Sequence, residues 1–146
     1  MSRLTVVAVV LVLAAAVVQA HVTVSPLDSK AGVTQNYELR VHNEAKVATS
    51  SLELEIPQGV TVLEVAKPES GKADTVKTGD RITKVTWHVE VASGKYLALK
   101  FSAKNPTGVK EVHWIVHEKL SDGSVVDWSD KPGAKEKASV TRLAAQ

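Results

Sequence analysis

The sequence predicts an all-β sandwich, and three observations carry that reading. After residue 20, apolar and polar residues alternate with a period of two through most of the chain, as strands with one buried face do. Turn residues recur at short, regular spacing between these runs. No stretch beyond residue 20 keeps a convincing helical period. Together they predict about eight or nine short strands, packed as two sheets over one core.

The chain opens with Arg3, a charge-free apolar run from Leu4 to Val18, and small residues at Val18 and Ala20. That is the pattern of a cleavable secretory signal, residues 1–20, with cleavage after Ala20. The run is shorter than the roughly 20 residues that span a bilayer, which favours cleavage over a retained anchor, and no second apolar run of spanning length follows, so no membrane span is expected in the mature chain, residues 21–146. These residues form one expected domain. Val22 and Val24 alternate with His21, Thr23 and Ser25, and Pro26, Asp28 and Gly32 mark a turn. Tyr37, Leu39 and Val41 point inward from the next strand. Leu52, Leu54 and Ile56 alternate with Glu53 and Glu55, and Pro57-Gln58-Gly59 turns the chain.

A strand over residues 60–66 precedes a polar loop at 67–74. Residues 75–77 and 81–89 then pair as a hairpin across Thr78-Gly79-Asp80. Residues 95–103 form a strand that Asn105-Pro106 breaks. Residues 111–120 and 124–128 flank Ser121-Asp122-Gly123, a hairpin with Gly123 at positive φ. A strand over 138–143 closes the domain.

Composition narrows the chemistry. Loss of Arg3 lowers the net charge from +2 to +1, which leaves no electrostatic footprint for nucleic acid. There is no cysteine, and the single methionine is Met1. A metal held by the mature chain therefore sits on nitrogen and oxygen, which suits Cu(II), Zn(II) or Ni(II) and excludes thiolate centres. No phosphate-binding glycine loop, H-E-x-x-H or G-x-S-x-G motif is present.

His21 is the first candidate ligand. As the first mature residue it offers a free α-amine and a ring Nδ1 to one metal ion, and one chelate ring needs further oxygen donors. Glu53 lies on the polar phase of its strand, as His21 does, so the two could share a sheet face. Trp128 reads as a core or edge aromatic, and Trp87 and Trp114 as core. His113 and His117 lie four residues apart on a strand, roughly 13 Å and too far for one ion. His42 and His88 read as surface histidines.

Several segments in order resemble one family, the YcnI-like copper-binding domains, which are exported bacterial β-sandwich proteins of immunoglobulin/cupredoxin-like type. They are His21-Val-Thr-Val-Ser-Pro26, Tyr37 to Val41, Leu52-Glu-Leu-Glu-Ile-Pro-Gln-Gly-Val60 and Thr83-Lys-Val-Thr-Trp87. Phe101-Ser-Ala-Lys-Asn-Pro106, Asp122-Gly-Ser-Val-Val-Asp-Trp128 and Ala138-Ser-Val-Thr141 follow. The resemblance implies a monohistidine brace for Cu(II): the amine and ring of His21, a strand glutamate matching Glu53, with Glu55 as the alternative, and Trp128 close to the metal. The chain departs from the family at Ile115-Val-His-Glu-Lys-Leu120, where relatives carry tyrosines.

The expected function is extracytoplasmic Cu(II) binding, periplasmic or secreted, in copper trafficking, storage or delivery and not in catalysis. The implied partners are the copper ion and other copper-handling envelope proteins. Two other readings stay open. One is a copper-dependent oxygenase, which would need a second histidine ring from His42, His113 or His117. The other is a metal-free adhesion or interaction module.

Overall fold

The computed structural model describes residues 21–146, so the expected signal segment lies outside the described residues. Among the described residues eleven strands are present: β1 (His21–Ser25), β2 (Asp28–Lys30), β3 (Thr34–His42), β4 (Thr49–Glu55), β5 (Thr61–Val65) and β6 (Lys72–Thr78). The rest are β7 (Arg81–His88), β8 (Tyr96–Lys104), β9 (Glu111–Leu120), β10 (Val125–Trp128) and β11 (Ser139–Ala144). One sheet has the order β1-β3-β8-β5. The other runs β2-β11-β9-β4-β7-β6, with β10 also paired to β9. No helix among the described residues is long and apolar enough to cross a membrane.

The alternation in sequence becomes the inner faces of the two sheets. Val22, Val24, Tyr37, Leu39, Val41, Leu99 and Phe101 are buried on the first. Leu52, Leu54, Val85, Trp87, Val112, Trp114 and Val116 are buried on the second. Phe101 is the aromatic hub, in contact with Tyr37, Trp87 and Trp114; the Tyr37 ring lies 5.4 Å from it, stacked, and 5.0 Å from Trp114, edge-on. Removing one such buried aromatic costs about 3–5 kcal/mol. Burial pushes the Tyr37 hydroxyl pKa up, and the Asn105 side chain receives its proton in a 2.5 Å hydrogen bond. Asn105 in turn donates to Lys30 O, tying β3 to β2 through the core's edge.

The expected eight or nine strands become eleven. The turn read at Asp28 contains β2, which pairs in parallel with Arg142, Leu143 and Ala144. Its three polar residues carry no alternation, and its partner comes from the far end of the chain. The loop read at 67–74 is partly strand too, because β6 begins at Lys72 and pairs fully with β7. Gly71 makes the entry possible. It has φ +90°, and a Cβ there would meet the His88 carbonyl oxygen at 2.1 Å. Gly123 has the expected positive φ, 88°, in the β9–β10 hairpin.

Candidate metal centre

β1 is an edge strand, and its pairing with β3 is what places His21. The register sets His21 opposite His42, Val22 opposite Val41 and Val24 opposite Leu39. Since Val22 and Val24 face the core, His21 faces outward with Thr23. β3 then pairs with β8, setting His42 opposite Tyr96. His21, His42 and Tyr96 thus form a row across three adjacent strands on the outer face of the smaller sheet. The His21 and His42 rings lie 6.5 Å apart and 23° from parallel. His42 stacks on Tyr96 at 3.9 Å and 6°. His42 Nδ1 lies 3.0 Å from the Glu44 carboxyl group. These rings, with Glu38 and Arg40, line an open groove of about 610 Å³.

Trp128 belongs to the same end of the molecule. β1 runs alongside β11 in the same direction: Val24 N–H donates to Ser139 Oγ at 2.9 Å, and Thr141 Oγ1 donates to Pro26 O at 3.0 Å. His21 therefore lies toward the segment preceding β11, where Glu136 bridges to Trp128. Trp128 is buried, and its indole N–H donates to Glu118 Oε2 at 3.3 Å. Glu118 is fully buried, and its other oxygen accepts from Thr49 Oγ1 at 2.8 Å. Sequence reasoning passed over Glu118, although it stands on the inward phase of β9 with Val112, Trp114 and Val116.

Glu53 is not brought to His21, which corrects the expectation of a shared face. Leu52 and Leu54 face the core, so Glu53 leaves the larger sheet on its outer side and pairs with Lys84 Nζ at 3.1 Å. His21 leaves the smaller sheet on the opposite side. Packed sheets stand roughly 10 Å apart before any side chain is added. Residue phase distinguishes inside from outside; it does not say which sheet a strand joins. Glu55 shares the outer face of Glu53 and accepts a 2.8 Å contact from His117 Nε2.

His113 and His117 form two separate clusters on that outer face. His117 Nδ1 contacts Asp127 at 2.5 Å, opposite Glu55. Burial lowers the His117 pKa, but Asp127 and Glu55 outweigh it and the net shift is upward. His113 contacts Glu111 at 2.7 Å and also Asp130; the Glu111 hydrogen bond is the main cause of its raised pKa. Each ring is fully engaged by its own carboxyl groups, and the two do not act as joint ligands. With side chains as they stand, no three His, Asp or Glu among the described residues converge on a metal position.

Comparison with known proteins adds the following. The model of a family described as a domain of unknown function, DUF1775, matches residues 21–146. The copper-binding protein CutI of Bacillus subtilis (strain 168) is 30% identical over 127 residues. The match covers 85% of this chain and 62% of CutI, so the chain spans under two thirds of that relative's length. A Nocardia farcinica protein with an immunoglobulin-like fold superposes with a TM-score of 0.74 at 21% identity, covering 85% of this chain and 98% of its own. A type I cohesin–dockerin complex from Clostridium thermocellum ATTC 27405 gives 0.53 at 14% identity, covering 87% and 94%. These two likenesses establish the fold.

Proposed function

This chain belongs to the DUF1775 family, the YcnI-like domains its sequence resembles, and from that membership together with the donors around His21 we propose that it is an extracytoplasmic Cu(II)-binding protein that carries or delivers copper. The relative CutI is a copper-binding protein. The observation that carries the reading is the position of His21: the first residue of a paired strand, with its ring exposed on an open face. In the 146-residue chain its α-nitrogen is a peptide nitrogen. Cleavage after Ala20 turns it into an amine beside the Nδ1 of the same residue.

The donor chemistry fits the ion. The residues near His21 offer imidazole and carboxyl groups, and the mature sequence has no sulfur. Such a set favours Cu(II) over Cu(I). Binding requires the amine and imidazole to be free of protons, so acid opposes it. Trp128 is the tryptophan of this centre, held in place by Glu118.

The test is a Cu(II) titration followed by paramagnetic resonance on protein that begins at His21. One equivalent of tightly bound copper is expected, and one glycine added before His21 should abolish it. Equal affinity in both proteins would refute a site built on the terminal amine.

A further inference from the structure

We propose that the buried carboxylate of Glu118 makes the copper centre selective for Cu(II) over Cu(I). The inference rests on the copper-binding reading above and leaves its ligand set unchanged. Its basis is a charge without a counter-charge. Glu118 is fully buried on the inward phase of β9. Thr49 Oγ1 donates to its Oε1 at 2.8 Å, and the Trp128 indole N–H donates to its Oε2 at 3.3 Å. Both partners are neutral donors, the pattern that an ionised, acceptor-only carboxyl group meets. No ion pair among the described residues includes Glu118.

A buried charge is costly unless a cationic group or a metal answers it. The strand arrangement brings the mature amino terminus to that end of the molecule. Val24 N–H is tied to Ser139 Oγ, and β1 and β11 run in the same direction. Three residues earlier in each, His21 lies toward Glu136, and Glu136 bridges to Trp128. Copper held at His21 therefore arrives beside the segment whose indole meets Glu118. The carboxylate is also fixed in place: Thr49 is locked to Val91 by two backbone hydrogen bonds.

Coulomb's law gives the direction of the effect. Cu(II) carries one positive charge more than Cu(I), so a nearby anion stabilises the oxidised ion more. With one indole between carboxylate and metal, about 10 Å, and an effective dielectric constant near 20, a unit charge alters the balance of the two ions by roughly tenfold. Glu38, a carboxyl group lining the His21 groove, is paired with Arg40 and reached by solvent, so its effect is screened. Burial removes that screening from Glu118. The mature chain offers Cu(I) no sulfur, and Glu118 opposes the same ion electrostatically.

The experiment uses protein beginning at His21 and measures its Cu(II) and Cu(I) affinities by chelator competition, with the midpoint potential of the bound copper. Glu118→Gln fits the same space: its amide oxygen accepts from Trp128, and its amide nitrogen donates to the Thr49 hydroxyl. The ratio of Cu(II) to Cu(I) affinity should fall roughly tenfold, which raises the potential by about 59 mV for one electron. Glu118→Asp, which keeps the charge, should stay near the unaltered ratio. Thr49→Val combined with Glu118→Met removes charge and donor together and should shift the ratio as Glu118→Gln does. An unchanged ratio in both charge-removing proteins, or an equal loss of both affinities, overturns the role of Glu118 and leaves the copper centre standing. Failure of the unaltered protein to bind Cu(II) overturns both.

Discussion

Glu118 shows how much one residue's surroundings decide. A fully buried carboxyl group is costly unless its oxygens are matched, and here Thr49 and Trp128 donate to one oxygen each. Thr49→Val keeps the shape and removes one donor. It should cost about 1–3 kcal/mol, the penalty of an unmatched buried polar atom, read as a lower urea midpoint with unchanged slope. Glu118 also shows what a sequence offers at this scale. Its inward phase was visible, because it follows Val112, Trp114 and Val116 at spacing two. Its partners were not, since Thr49 is 69 residues away and meets it only through the β4–β9 pairing.

At the scale of elements, β9 carries the larger sheet. β4 flanks one edge, while β10 and β11 occupy the other in tandem. Its outer face holds His117 between Asp127 on β10 and Glu55 on β4, so the protonated ring links three strands. Because the folded His117 pKa is raised above its ordinary 6.5, this link contributes fully below about pH 6.5 and is lost as pH rises through the folded pKa. His117→Gln should therefore destabilise the protein more at about pH 5.5 than at about pH 8.5, by on the order of 1 kcal/mol or less for a half-buried ring whose Asp127 partner is exposed. Denaturation curves at the two pH values measure it; an equal loss at both would rule the link out. Strand phases were legible for nearly every element, since Tyr37, Leu39, Leu52, Leu54, Trp87 and Trp114 are all core as expected. Strand order was not. That is why Glu53, correctly placed on an outer face, was assigned to the wrong side of the molecule.

For the whole molecule, the core stands on packing alone: the described chain has no disulfide, and no helix contributes. Among the described residues, twenty-two buried ones form one cluster drawn from both sheets. Copper binding to the folded state then adds stability by mass action. At free Cu(II) about 100 times the dissociation constant the gain is about 2.7 kcal/mol. Protein beginning at His21 should melt several degrees higher with one equivalent of Cu(II) and return to its starting value on chelation. A glycine-extended protein should show no shift, and an equal rise in both would place the stabilising ion elsewhere. The fold class was legible because alternation and turn spacing are local. His21 stands out in sequence at the expected cleavage position, whereas its pairing with His42 could be known only from the register of β1 and β3.

That register has a consequence for affinity. β1 is an edge strand, held along one side by β3, and its first residue is a proposed ligand. Strand ends open at little free-energy cost. A centre that exists only while the terminal pair is closed binds with its intrinsic constant divided by the closed fraction. Substitutions that fray the start of β1 would thus weaken copper binding without touching a ligand, and the ion would in turn close the end of the strand. Affinity at the amino terminus and the zippering of its strand are two readings of one equilibrium.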